Sequence, residues 1–233
     1  MDEKRSQLII CPTFRELKSL LQSLPEKSLE KLGAEFFSLC QKHWLLATCG
    51  VGLSFPPIRT MELINKYNIE SIHLYGICGA KKNSGISQGD IIHPDKEIFM
   101  DLGCYDGKNF HDLQTLGLAH HSSLKEGNQI HLSVCRDFSL KNPYKIHIAA
   151  LGSRNQICGT DTEAEFWFKT WPQILGENME GASIALLASH LGLPFYEVRA
   201  VSNYCGNRDR ANWNCTLALQ NLTEIFQQAR DIF

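Results

Sequence analysis

Apolar residues fall into short runs separated by polar connections bearing glycine or proline. One unit organises the rest. Gly181 to Leu191 (GASIALLASHL) is apolar almost all round, which predicts a helix buried against a sheet. Leu193-Pro194 ends it, because proline lacks an amide donor and disfavours helix in the residue before it. Phe195 to Val201 (FYEVRAV) is β-branched and aromatic, hence a strand. Polar residues flank the unit: Glu177, Asn178 and Glu180 in a loop before the helix, Arg199, Ser202 and Asn203 at the strand's exit. Ligands of open α/β sheets sit at the carboxyl ends of strands.

The same reading covers the rest of the chain. Leu8 to Cys11 is a buried strand, and Phe14 to Leu24 has helical apolar spacing after a Pro12-Thr13 turn. Phe36 to Leu39 reads as an edge strand and His43 to Thr48 as a core strand, followed by the glycine turn Cys49-Gly50-Val51-Gly52. Pro56 to Tyr67 is a helix with Ile58, Met61, Leu63 and Ile64 inward. Ser71 to Tyr75 is a strand, then Gly76-Ile77-Cys78-Gly79-Ala80 a segment whose glycines admit a ligand close to the backbone. Lys81 to Gln88 is a surface loop in which Lys81 and Lys82 are solvated. Strands follow at Gly89–Ile92 and Ile146–Gly152, with loop expected from Cys104 to Asn128 and an irregular stretch from Asn155 to Gly159. Asp161 to Lys169 and Cys215 to Phe233 are helices.

Composition narrows the class. The 233 residues fit one α/β domain, residues 1–233, with 43% hydrophobic and 21% charged residues. A net charge of −2 gives no reason to expect a nucleic-acid or anionic-membrane partner. Nine scattered cysteines with no C-x-x-C pair imply a reducing, cytoplasmic setting. Nine histidines with no H-x-x-x-H pair, and His120-His121 side by side, predict no metal. The apolar run after the charged N-terminus is too short for a signal peptide, and none is long enough to span a membrane.

Singly, Glu180 reads as a carboxylate complementing a helix dipole, Asn203 as a turn residue and Arg199 as a strand-end ion pair. Together, Met179-Glu180 opening a buried helix and Arg199-Ala200-Val201-Ser202-Asn203 closing a strand resemble the nucleoside phosphorylase and hydrolase family. The tail SNYCGNRDRANW, the segment EIFMDLG and the spacing Pro12-Thr13-x-x-Glu16 are similar to futalosine hydrolases. The resemblance spans Leu8 to Trp213 and is thin from Cys104 to Asn142. It implies a three-layer α/β/α fold with a central twisted mixed sheet, a nucleoside substrate, no cofactor and a homodimer. It further implies cleavage of futalosine by water to hypoxanthine and dehypoxanthinyl futalosine, in menaquinone biosynthesis. Cys78, Gly79, Ile157 and Cys158 match positions lining the purine.

The chemistry assigns the other roles. An oxocarbenium-like sugar calls for a carboxylate that accepts ribose hydroxyls: Glu180, with Met179 against the sugar. Water needs a base: Glu16. The departing purine needs a donor near N7: Asn203, whose amide also suits the carbonyl of a 6-oxopurine. Arg199 and Ser202 orient that loop. Phosphorylases of the family carry an arginine and a hydroxyl for phosphate where this chain has Leu74 and Ile77, which favours water; Arg15 alone speaks for phosphate. Three alternatives remain: an adenine-releasing nucleosidase acting on methylthioadenosine, S-adenosylhomocysteine or aminodeoxyfutalosine, a phosphorylase, and a nucleoside-binding protein without turnover.

Overall fold

The structure is a computed structural model and describes residues 5–39, 43–118, 124, 127–132 and 144–232. The chain opens with β1 (Ser6–Cys11), α1 (Phe14–Leu21), β2 (Leu29–Gly33), β3 (Phe36–Leu39), β4 (Trp44–Thr48) and α2 (Phe55–Lys66). A long strand, β5 (Ile69–Ala80), is followed by β6 (Ile91–His93), β7 (Lys96–Phe99), β8 (Gly103–Tyr105), β9 (Phe110–Asp112), β10 (Gln129–His131), β11 (Ile146–Ile148) and β12 (Ala150–Ser153). The last third holds α3 (Asp161–Thr170), β13 (Ile174–Asn178), α4 (Gly181–Leu191), β14 (Phe195–Tyr204) and α5 (Cys215–Ile232).

The sheet runs β10-β7-β12-β13-β5-β1-β4-β3-β2, with β14 on β5 and β6, and β11 on β6. It is mixed: β1 pairs parallel with β4 and β5, whereas β13 meets β5 antiparallel. Side-chain alternation along the strands makes two cores. Leu8, Ile10, Ile72 and Leu74 face α2 and α4, against Leu63, Ala182, Ile184, Ala185 and Ala188. Ile9, Cys11, Tyr75, Val198 and Ala200 face α1 and α5, against Leu17, Leu20, Leu222, Ile225 and Phe226. Helix α3 covers the far end of the sheet with Ala164 and Phe168 on Ile98, Ala150 and Ile174. The expected three-layer α/β/α arrangement is present.

One departure from the expected map positions everything functional. The strand expected to end at Tyr75 runs on through the glycine-rich segment to Ala80 as β5. Along one edge, β5 pairs with β1 as far as Leu74 and with β13 only from Gly79. The sheet therefore forks, and the β5 backbone between those residues offers its hydrogen-bonding groups to side chains. Its other edge stays paired with β14 throughout, from Ile72–Phe195 to Ala80–Tyr204. The register slips between Val201 and Asn203, so Ser202 is the extra residue of a bulge.

Other expectations need correction. Glu177 and Asn178 end strand β13 and are not in a loop. The edge strand is β2, whose polar LEKLG suits exposure, and β3 lies inside it. In α2, Ile58 is 60% exposed; Pro56, Thr60 and Leu63 are the buried residues. Helix α1 stops at Leu21, and β14 runs on to Tyr204. The Ile146–Gly152 run divides into β11, paired with β6, and β12, between β7 and β13. Within the expected loop after Cys104, β8 and β9 form a hairpin, with Phe110 on Trp167 and Tyr105 on Phe166. Lys82 is not merely solvated: it pairs with Asp161 at 2.5 Å, and Lys81 lies over the Phe168 ring. His120 and His121 lie outside the described residues.

Candidate active site

The fork gathers the polar groups. Thr13 caps α1, and its backbone N–H and hydroxyl both donate to Glu16 Oε2, at 2.9 and 2.6 Å. The other carboxylate oxygen, Oε1, accepts the Ile77 N–H at 2.9 Å, a backbone donor that the fork leaves unpaired by strands. Three donors therefore fix a carboxylate that is only 4% exposed.

Gly76 separates Glu16 from Arg199. A Cβ there would lie 3.1 Å from Glu16 Oε1 and 2.5 Å from Arg199 Nη1, so only glycine lets both groups approach the strand. Arg199 itself is fully enclosed and bonds four acceptors: Glu197 Oε1 at 2.7 Å, Glu180 Oε2 at 3.1 Å, Asn178 Oδ1 at 3.2 Å and the Ile77 carbonyl at 3.4 Å. Such pairing is the condition for burying a charge. Glu180 stands at the N-terminus of α4. Burial, then the nearby Glu16 charge, push its carboxyl up to about 7, against the pull of Arg199.

At the other side of the fork, Cys78 and Gly79 face β14 and the end of β13. Ser202 Oγ lies 3.2 Å from the Cys78 carbonyl and 2.7 Å from Asn203 Oδ1. The Asn203 amide nitrogen faces the Tyr204 carbonyl at 3.2 Å. A carbonyl can only accept, which fixes that end of Asn203 as the donor. Burial raises the Cys78 thiol to about 12, so it is a neutral wall and no nucleophile. Cys158 is buried, and its N–H donates to both Glu177 oxygens, at 3.1 and 3.2 Å, which ties it to the strand opposite Gly79. Ile157 and Met179 are half-buried beside these residues in sequence. The turn Gly50–Gly52 has positive φ at both glycines, and Leu53 N–H donates to Asn155 Oδ1 at 2.9 Å, joining this turn to the Asn155–Gly159 stretch.

Arg15 is exposed and lines an outer groove between α1 and α5, with Lys18, Gln220 and Glu224. Leu74 is fully buried, and Ile77 contributes only its backbone. No cluster of His, Cys, Asp and Glu among the described residues could hold a metal ion.

A family model described as the phosphorylase superfamily matches residues 7–231. The chain belongs to the phosphorylase superfamily. Within the superfamily, a futalosine hydrolase of Acidothermus cellulolyticus is 29% identical over 184 residues, covering 78% of this chain and 72% of that one. A futalosine hydrolase of Thermus thermophilus is 30% identical over 160 residues, covering 69% of each. Among solved structures, the 5′-methylthioadenosine/S-adenosylhomocysteine nucleosidase of Neisseria meningitidis, in complex with methylthio-immucillin-A, superposes with a TM-score of 0.77 at 16% identity. That match covers 98% of this chain and 99% of the nucleosidase, and it shows a shared superfamily fold.

Four site residues were given no role in the sequence reading. Asn178 Oδ1 accepts the Glu180 and Gly181 N–H groups at 2.9 and 2.7 Å, so it, not Glu180, caps α4. Behind it lie Ser153, Glu97 and Glu197, all fully buried. The available signal was a charge inside an apolar strand run, EIFM and FYEVRAV, since an acid is rarely enclosed without a partner.

Proposed function

We infer that this protein is a futalosine hydrolase, an enzyme that cleaves an N-glycosyl bond with water. The observation that carries the reading is a pair of buried carboxylates at the fork, Glu16 beside Gly76 and Glu180 on the Arg199 guanidinium that also abuts Gly76, with no anion ligand at Leu74 or Ile77. Similarity to futalosine hydrolases over more than two thirds of their length supports it.

The chemistry of the step assigns the roles. Glu180 accepts two ribose hydroxyls, which draws charge toward the oxocarbenium-like sugar, and Met179 packs against it. Glu16 takes the proton of the attacking water; its carboxylate is held in orientation by Thr13 and Ile77. Asn203 donates to the purine as negative charge develops near N7. Its amide faces the hypoxanthine carbonyl between Cys78, Gly79, Ile157 and Cys158. Ser202 and Arg199 hold this loop and Glu180 in place. The products are hypoxanthine and dehypoxanthinyl futalosine, which puts the step in menaquinone biosynthesis.

Seven cysteines among the described residues are free thiols, which suits a reducing cytoplasm. No helix among the described residues is long and apolar enough to cross a membrane. A homodimer is supported by exposed apolar side chains near the glycine turn: Phe55 is 70% exposed and Ile58 60%.

Incubation with futalosine, inosine and methylthioadenosine, with and without phosphate, tests the assignment. Hypoxanthine should appear from futalosine at a rate independent of phosphate. Faster release with phosphate, together with a sugar 1-phosphate product, would make the protein a phosphorylase. Preferential release of adenine would make it an adenine nucleosidase.

A further inference from the structure

Beneath the N-terminus of α4, two acidic side chains from different strands meet. Glu97 of β7 and Glu197 of β14 are both completely enclosed. Their carboxyl groups converge beside Gly181, where a Cβ would strike both. Glu97 Oε1 accepts the Asn178 amide at 2.7 Å, and its Oε2 lies 2.6 Å from Ser153 Oγ. Glu197 Oε1 accepts Arg199 Nε at 2.7 Å. Glu197 Oε2 is buried with no hydrogen-bond partner among the described residues.

These facts constrain where protons lie. Two adjacent carboxylates in a low-dielectric interior cannot both ionise. One guanidinium is available, and Arg199 already divides it between Glu197 and Glu180. The partners of Glu97 other than Glu197 are neutral: the Ser153 hydroxyl and the Asn178 amide. Glu197 has the cation, so Glu97 is the member that keeps the proton, and the orphaned Glu197 Oε2 is where that proton points. Burial, then the Glu197 charge, move Glu97 well above the usual carboxylate range, in agreement with this arrangement.

We propose that Glu97 and Glu197 share one proton, and that Glu97 acts in this form as a positioning residue for the ribose-binding carboxylate. It holds Asn178 by the amide nitrogen, while Asn178 Oδ1 binds the Glu180 N–H and Arg199 Nη2. It completes the hydrogen bonding of Glu197, which orients Arg199 toward Glu180. The role rests on the assignment of Glu180 made above; the shared proton does not.

The test uses the full-length chain and its Glu97→Gln, Glu97→Ala and Glu197→Gln variants. The first measurement is the infrared carbonyl band of a buried carboxylic acid at pH 9, where Glu180 is ionised. The wild type should show the band. Glu97→Gln should lack it, because Glu197 has the Arg199 cation and stays ionised, whereas Glu197→Gln, which leaves Glu97 enclosed among neutral partners, should keep it. The second measurement is kcat and KM for futalosine across pH. Groups facing Glu180 are Glu16, Cys49, Arg199 and Glu197; those facing Glu97 are Glu197 and Arg199, with Ser153 and Asn178. Glu97→Gln keeps the neutral charge, so its pH limb should stay in place. Glu97→Ala loses the Asn178 contact, and its KM should rise at least about tenfold, with Glu97→Gln staying within about threefold of wild type. Glu197→Gln removes a charge that raises Glu180, so its limb should move to lower pH. Absence of the band from the wild type, its persistence in Glu97→Gln, or a downward-moved limb in Glu97→Gln would overturn the proposal. A chain that shows the band as expected yet cleaves no nucleoside would leave the shared proton standing and remove the function inferred above.

Discussion

Arg199 ties Glu180 to its three other acceptors, Glu197, Asn178 and the Ile77 carbonyl. Burial, then Glu16, raise Glu180 to about 7, so the carboxylate proposed to accept ribose hydroxyls titrates near neutral pH. A group raised in this way is protonated and weak as an acceptor below its pKa, and ionised and competent above it. Profiles of kcat/KM report the free enzyme. They should therefore rise with pH through about 7, and a flat profile from pH 6 to 8 would take Glu180 out of the mechanism. At the purine end, Asn203 presents its nitrogen as a donor. Replacing it in Asn203→Asp sets acceptor against the carbonyl of hypoxanthine and gives adenine's amine a partner. Each such buried hydrogen bond is worth about 1–3 kcal/mol. The ratio of kcat/KM for futalosine over aminodeoxyfutalosine should fall at least about tenfold. An equal fall for both substrates would mean that Asn203 shapes the loop and does not read the base.

Strand β5 works as an element because it changes partners midway. Between β1 and β13 its backbone serves the site, with Ile77 N–H on Glu16 and Ile77 C=O facing Arg199. Gly76 sits where that exchange occurs. Neither neighbour of a new Cβ can step aside, since Arg199 is held by four acceptors and Glu16 by three donors. Gly76→Ala should thus lower kcat/KM at least about a hundredfold, the cost of displacing a base and a charge clamp together. Thermal unfolding should show the same variant destabilised by about 1–3 kcal/mol, the range for overpacking. Full activity would show that the fork has room to spare. The bulge at Ser202 is a second elemental device: it turns Asn203 back toward Gly79, where a regular strand would have pointed it to the opposite face.

For the whole molecule, the two helical layers bury the apolar faces of the sheet, while Val51, Phe55 and Ile58 stay exposed around the glycine turn beside the site. The homodimer proposed above would cover them. Light scattering at micromolar concentration should give a dimer mass, and Phe55→Glu with Ile58→Glu should give a monomer that remains folded by circular dichroism. A wild-type monomer contradicts the dimer, and an unaltered dimer in the double variant moves the interface elsewhere.

The sequence by itself determined the layers and picked out several of the polar residues that the structure gathers at the fork. Periodicity marked α4 and β14 because their faces are apolar whatever surrounds them. The Thr13-x-x-Glu16 spacing stood out through the family resemblance, and the structure shows it to be a capping box closed within one helical turn. Glu180, Arg199 and Asn203 stood out as polar residues at the ends of an apolar unit. Only the tertiary structure decided the fork in β5, since a run of glycines reads as a turn until its partner strands are known. It also decided the roles of Glu97, Ser153 and Glu197. Ser153 reaches Glu97 across 56 residues, and Arg199 reaches Ile77 across 122. Whether a buried carboxyl carries its proton depends on which charge lies opposite, and that is settled by packing between strands distant in sequence.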